Sequence, residues 1–237
     1  MASISRLSTT PLPRAREAQL RMTVRSQDSH RLTAWDDWLS FSRVIAKPRL
    51  HGVPTCTTKR DFQRLAARYR VAHSLRSVRL EGYSSKTLVR YASLLRLMLA
   101  WSAAEQLLSV VGKTSPCPPE WFKVDKVQVV VEHIRKVDPQ LSFYDFVLNH
   151  LDPGNKGKGA RKQLAAFICG EPFNPSYLAS TVRHVFAHGT LTSTPKGVKA
   201  GAVEGCCNKV ADLMLWTIDD KFAEMVAQAK HTYSATT

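Results

Sequence analysis

Residues 84–112 read SSKTLVRYASLLRLMLAWSAAEQLLSVVG and form the clearest helical pattern in the chain. Ser84 or Ser85 can cap the start of this helix, because a serine oxygen accepts a hydrogen bond from a free backbone N–H of the first turn. Gly112 can end it, because glycine adopts the left-handed conformation of a helix C-cap at little cost. The stripe that we expect to face the core carries Leu88, Tyr91, Leu95, Met98, Ser102, Glu105 and Ser109.

Glu105 is the unusual member of that stripe. A carboxylate on a packed surface must reach solvent near the helix end, pair with a cation, or belong to a buried polar site. The sequence alone leaves these alternatives open.

Seven further helices are predicted from apolar residues at spacings of three and four and from capping residues. They cover Leu32 to Ile45, Lys59 to Val78, Asp125 to Val137, Ser142 to Leu151, a helix that ends near Cys169, a helix from Asn174-Pro175 to Gly189, and Val198 to Lys230. No segment alternates as a strand does. The predicted fold class is therefore all-α: a helical bundle over residues 83–232, a basic helical extension over 31–82 and a disordered basic tail over 1–30.

Composition excludes some classes of protein. The 237 residues are 44% hydrophobic, enough to bury a substantial core in one or two domains. Arg90, Arg96 and Glu105 interrupt the most apolar stretch, so we expect no membrane-spanning helix. The five cysteines form an odd set without short paired spacings, and we identify no secretory signal before them, which favours a reducing cytoplasm. The Arg-rich, acid-poor start also resembles an organelle transit peptide.

The charge of the chain is concentrated at its front. The formal net charge is +15, and residues 1–80 carry 16 Lys/Arg against 5 Asp/Glu. Eleven of those 16 lie between Arg31 and Arg79, interleaved with Trp35, Trp38, Phe41, Phe62 and Tyr69. Cations and aromatic rings together are typical of a surface that binds RNA. The alternatives are a solvated basic face packed by its aromatics and, less favoured, a surface for acidic lipids.

Two groups of cations are the predicted RNA contacts. The first is Arg60, Arg64, Arg68 and Arg70; the second is Lys158, Arg161 and Lys162. The second group follows a glycine-and-lysine run that lacks the Gly-Lys-Ser/Thr ending of a Walker A loop. A solvated loop is the alternative interpretation of that run.

The sharpest functional pattern is residues 183–189, which read RHVFAHG. Arginine is permanently cationic and suits a phosphate, and histidine exchanges protons near neutral pH, so the segment carries the groups needed to cleave a phosphodiester. On one helix Arg183 and His188 lie about 140° apart, which calls for a flexible arginine or a second copy across a two-fold axis. The alternative is an exposed arginine beside two histidines favoured by the helix dipole.

A metal site is not predicted in this segment. His184 and His188 are four residues apart and share a face that could bind zinc. No third ligand lies nearby, and the glutamate of a His-Glu-x-x-His metalloprotease is absent. We therefore predict no metal and no cofactor.

The segment from Arg183 to Gly189 resembles the Arg-polar-x-x-x-His signature of HEPN domains. Residues 97–108 resemble the early helix of that family, with Glu105 at its polar position. The order of a long first helix, short intervening helices, a signature helix and a long closing helix is also similar. The resemblance covers about residues 83–232, roughly two-thirds of the chain. It does not include the basic N-terminal residues 1–82.

The resemblance implies a homodimer that brings two Arg–His motifs into one cleft, and often a metal-independent ribonuclease of a defence or toxin–antitoxin system. His188 would be general base or acid at the ribose 2′-hydroxyl, and Arg183 would hold the scissile phosphate, giving a 2′,3′-cyclic phosphate. His184 would orient His188 or share proton transfer, and Glu105 would steady Arg183 or a histidine.

Two alternatives stay open. The first is a non-catalytic HEPN-like module that binds RNA, a nucleotide or a partner such as a separate antitoxin protein. The second drops the family and leaves a basic helical protein that binds nucleic acid through residues 31–79.

Overall fold

The computed structural model of the chain describes residues 30–44, 57–152 and 154–234, so the predicted tail lies almost entirely outside the described residues. Within them the chain folds into eight α-helices and one short 3-10 helix, with no strand, and the all-α prediction is confirmed. The elements are α1 (Trp35–Val44), α2 (Lys59–Ser74), α3 (Ser85–Val110), the 3-10 helix (Pro119–Trp121), α4 (Val124–Val137), α5 (Ser142–Asn149), α6 (Asn155–Cys169), α7 (Ser176–Ala187) and α8 (Ala202–Ser234). None of the described helices is both long and apolar enough to cross a membrane.

The predicted helices differ from the observed ones mainly at their ends. The Ser84 side chain accepts from the Thr87 N–H at 3.3 Å and starts α3 as expected. Helix α2 stops at Ser74, because the backbone of Leu75 turns extended. Helix α8 begins only at Ala202, because two glycines with positive φ, Gly197 and Gly201, place turns ahead of it.

Helix α3 is the centre of the molecule and packs against α2, α7 and α8. Its fully buried positions surround most of the helix: Leu94, Leu97, Ala100, Trp101, Ala103, Ala104, Leu107 and Leu108. The stripe that was predicted to face the core is instead its least buried line, with Leu95, Met98, Ser102 and Glu105 half-buried and Ser109 exposed. The prediction was wrong because a helix that is apolar on most sides is enclosed, and its few polar residues mark the solvent side.

One buried cation joins three helices at the middle of α3. Arg96 is 7% exposed, and its Nη2 lies 2.8 Å from Oδ1 of Asp212 in α8. Its Nε donates to the Ala72 carbonyl of α2, and its Nη1 donates to the Asn208 carbonyl of α8, each at 3.3 Å. A buried charge is tolerated only when it is paired and hydrogen-bonded, so these contacts fix where α2 and α8 meet α3.

Helices α1 and α2, which form the predicted basic extension, share the core of the bundle. The rings of Trp38 and Phe62 lie 4.4 Å apart between centroids, and Phe62 reaches Phe222 of α8 at 6.4 Å. Trp38, Phe62 and Tyr69 are 1%, 3% and 4% exposed. These aromatics therefore pack the extension onto the bundle and cannot stack on RNA bases, whereas the arginines of α2 remain at the surface.

We expect Asp212→Ala to lower the free energy of unfolding by about 2 kcal/mol, because it leaves the Arg96 cation with carbonyl partners only; the half-exposed aspartate makes the loss smaller than for a fully buried pair. Chemical denaturation would measure it. The control is Lys123→Ala, which removes the 2.7 Å surface pair with Asp220 and should leave stability nearly unchanged. Equal losses in the two variants would contradict a special role for Arg96.

Candidate active site

Helix α7 is shaped by signals at both of its ends. At its start, Oδ1 of Asn174 accepts from the Ser176 N–H at 3.0 Å. At its end, Gly189 has φ +75°, which lets the Thr190 N–H reach back to the Val185 carbonyl at 3.2 Å. The buried side of α7 holds Ser176, Leu178, Ala179, Thr181, Val182 and Val185. Its opposite side therefore presents the Arg–His segment to solvent.

Arg183 occupies the edge of α7 that faces α3. Its Nη2 lies 3.9 Å from Oε1 of Glu105, and the two side chains are 45% and 38% exposed. Trp101, which is 2% exposed, donates its indole N–H to the same Oε1 at 2.9 Å and so fixes the carboxylate. An ion pair this long and this exposed is weak, so Glu105 directs the guanidinium without immobilising it.

The two histidines occupy the other edge. The rings of His184 and His188 lie 4.4 Å apart between centroids at 60° to each other; His184 is half-buried and His188 is exposed. Partial burial lowers the pKa of His184, and electrostatic interactions with His188 and Arg183 lower it further, against the opposing effect of the Asp152 carboxylate. At neutral pH His184 is therefore mostly uncharged and can accept a proton.

Asp152 is a charged neighbour that the sequence did not point to. It belongs to the turn between α5 and α6, where its Oδ1 accepts from the Gly154 N–H at 2.8 Å. The Asp-Pro-Gly-Asn pattern predicted only a turn. Nothing in the spacing along the chain could show that this turn reaches the electrostatic environment of His184.

Arg183 and His188 are not brought to one point within a single chain. They lie at opposite edges of the exposed face of α7, about 140° apart around its axis. Between these edges the helix carries the small residues Ser180 and Ala187, half-buried and exposed respectively. Arg183 is directed to α3, while the histidines are on the side influenced by Asp152.

The cations predicted to contact RNA occupy different surroundings. Arg60, Arg64, Arg68 and Arg70 are all exposed on α2. Arg68 reaches the neighbouring helix, where its Nη1 donates to the Ser102 carbonyl of α3 at 3.2 Å. Arg64 lies 3.3 Å from Asp61 in its own helix.

The second predicted group divides into two kinds of residue. Lys158 and Lys162 are exposed on α6. Arg161 is half-buried, and its Nη1 donates to the carbonyls of Leu148 and Leu151 at 2.9 Å each. This nitrogen closes the C-terminal end of α5, a structural contact that the sequence did not predict, and a contact of Arg161 with RNA stays a prediction.

The start of α6 lies beside α7. A Cβ at Gly159 would stand 3.9 Å from the hydroxyl of Tyr177 in α7. Tyr177 and His184 are seven residues apart, two turns along one helix face. The glycine-and-lysine run is therefore close to the face of α7 that carries the histidines.

The described residues also include groups that could ligate a metal or act as nucleophiles, among them the exposed thiol of Cys169. In the part of the chain that the structure describes, no group of three or more His, Cys, Asp and Glu side chains could hold a metal ion. Cys117, Cys206 and Cys207 are buried free thiols. Burial, helped by the charge of Glu105, raises the pKa of Cys117 to about 12, so this thiol is not a nucleophile at neutral pH.

Comparison with known proteins identifies no relative. No protein-family model matches the chain, and no curated protein and no solved structure is significantly similar to it. The resemblance of residues 183–189 to HEPN domains stays a prediction from the motif and the helix order. Any function must be argued from the chain's own residues.

Proposed function

We propose that the protein is a metal-independent endoribonuclease of the HEPN type. The observation that carries the proposal is the end of α7, where a loosely held arginine and two histidines in edge-to-face contact share one solvent-facing surface. A cation that is free to move can bind a phosphate, and neutral imidazoles can accept protons. Few other side-chain sets could cleave a phosphodiester without a metal.

The reaction is an internal transfer of the phosphodiester. His188 takes the proton of a ribose 2′-hydroxyl, and the 2′-oxygen attacks the adjacent phosphorus. The bond from phosphorus to the 5′-oxygen of the next nucleotide breaks, and that oxygen receives the proton back from the imidazolium that His188 has become. The products are a 2′,3′-cyclic phosphate and a 5′-hydroxyl, and Arg183 stabilises the charge that develops on the phosphoryl oxygens.

The proposal includes a homodimer, because Arg183 and His188 of one chain lie too far apart around α7 to act on the same phosphate. A two-fold axis near the exposed face of α7 places Arg183 of one protomer beside the histidines of the other. The small side chains of Ser180 and Ala187 permit two such helices to approach closely. His184, next to His188, orients its ring or shares in the proton transfer.

A non-catalytic RNA-binding module is the second candidate. The same separation of Arg183 from His188 favours it, because a single chain presents a cation and two imidazoles without a common target. In that case the basic surface of α2 binds RNA, and the histidines take no part in a reaction. Cleavage assays distinguish the two candidates.

We expect Arg183→Ala and His188→Ala each to reduce cleavage of labelled RNA in EDTA by at least about a hundredfold, because each removes a group that acts in the transition state. Mapping of the ends should find 2′,3′-cyclic phosphates with the unaltered chain. The matched controls are Arg135→Ala and His231→Ala, exposed residues of the same types elsewhere. Unchanged cleavage in either site variant, or no cleavage by the unaltered chain on varied RNAs, would reject the ribonuclease.

Mixing the two inactive variants tests the shared site. If Arg183 of one protomer acts with His188 of its partner, random heterodimers regain one intact site in half of the dimers, or about a quarter of the original activity. If both residues act within one chain, the mixture stays inactive. Single-turnover cleavage after co-refolding measures the difference.

The pH dependence of His184 has a defined sign. Because its folded pKa is lowered, it stays neutral to a lower pH than a free histidine, and its contribution to stability is lost as pH falls through that range. We expect His188→Ala to raise the pKa of His184, and Asp152→Asn to lower it further, as measured by NMR titration of the ring. Shifts of the opposite sign would contradict the assigned electrostatic neighbours.

A further inference from the structure

A solvent-facing strip of α3 lies between its contact with Arg68 of α2 and its contact with Arg183 of α7. The strip carries the half-buried Met98, Ser102 and Glu105 and the exposed Ser109. On one side Arg68 of α2 bonds to the Ser102 carbonyl, and on the other Arg183 of α7 reaches Glu105. Ser102 and Glu105 are neighbouring positions of one helix face, so both arginines border the same part of the strip.

The α2 side of this strip carries a row of three arginines. Arg60, Arg64 and Arg68 are spaced by four residues, so they follow one face at steps of about 6 Å along the helix axis. Helices α2 and α3 run antiparallel, since Thr57 contacts the Val110 carbonyl at one end and Ala72 meets Arg96 at the other. The row therefore continues from the level of Ser102 towards that of Ser109.

We propose that this surface, the strip of α3 with the arginine row of α2 (Arg60, Arg64 and Arg68) on one side and Arg183 on the other, binds the phosphate backbone of single-stranded RNA. The inference rests on the proposed ribonuclease for the role of RNA as substrate, and it names the path by which the strand reaches the site. Regularly spaced guanidinium groups along one side can each neutralise a phosphate.

The strip itself favours an unpaired strand. Leu95 and Met98 continue the strip as half-buried apolar side chains, which can contact the face of an exposed base. In a duplex the base faces are stacked inside and only the phosphates would touch this surface. In-line attack by a 2′-oxygen also requires a nucleotide that is free to rotate, which pairing restricts.

The acids of this surface do not cancel its positive charge. Glu105 lies on the strip, where Trp101 and Arg183 hold it. Asp61 belongs to the N-terminal cap of α2, where its Oδ2 accepts hydrogen bonds from the N–H and the hydroxyl of Thr58 at 2.9 and 2.7 Å. Its Oδ1 accepts from Arg64. The arginine row and Arg183 carry four positive charges against these two carboxylates.

The test is RNA binding by the full chain in a His188→Ala background, so that no strand is cut. The row variant carries Arg60→Gln, Arg64→Gln and Arg68→Gln. The matched control removes three charges on another helix, α4, by Lys126→Gln, Arg135→Gln and Lys136→Gln, all at exposed positions. None of these three residues belongs to α2, α3 or α7. Fluorescence anisotropy measures Kd against salt for a labelled single strand and for its duplex.

We expect the row variant to raise Kd for the single strand about tenfold or more. The slope of the logarithm of the association constant against the logarithm of the salt concentration should become less steep by about 2, because each phosphate contact to a single strand contributes about 0.7. The control should change the slope by less than half as much. Replacing the three arginines by lysine should restore the slope, which would exclude misfolding as the cause.

Three results would overturn the inference: no binding of single-stranded RNA by the His188→Ala chain, an equal loss in the control, or an equal loss of duplex binding. Failure of the ribonuclease proposal is separate, because it appears in the cleavage assays of the unaltered chain and the site variants and not in these binding measurements. In a chain that cleaves, the row variant should lose activity on long single strands and keep it on a dinucleotide.

Discussion

The buried guanidinium of Arg96 sets the register of the helices on which the candidate site depends. It lies near the middle of α3, is 7% exposed, and bonds to α2 through Ala72 and to α8 through Asp212 and Asn208. A cation in this position keeps all of its partners or destabilises the fold, so α2 cannot slide along α3 without losing them. The contact of Arg68 with the carbonyl of Ser102 follows from that register.

Burial decides what each arginine of this chain does. Arg96 is enclosed and paired at 2.8 Å, so its charge serves the fold. Arg161 is half-buried and bonds to two carbonyls at the end of α5. Arg183 is 45% exposed, and its ion pair with Glu105 is long at 3.9 Å. It therefore retains most of its capacity to bind an anion. An arginine side chain in this protein therefore stabilises the fold, caps a helix or remains able to bind an anion, depending on how exposed it is to solvent.

Some parts of this structure were readable from local patterns, and others were not. Caps such as Ser84 and Asn174 act within one turn of their own helix, so the helix starts could be predicted. The orientation of α3 could not, because a helix enclosed on three sides has apolar residues in nearly every direction and no single stripe reports its core. The burial of Trp38 and Phe62 was also ambiguous, since an aromatic next to arginines suits RNA or a core equally well until its neighbours are known.

The all-α class, the approximate ranges of the helices and the presence of a cation and two imidazoles at the end of one helix follow from the sequence alone. These properties depend on residue spacing and on capping, which act over a few residues. Tertiary packing is needed to bring Glu105 to Arg183, to place Asp152 where its charge affects His184, and to let Arg68 of α2 reach the backbone of α3. Such pairs are separated by tens of residues along the chain, and only packing brings their charges within a few ångströms of each other.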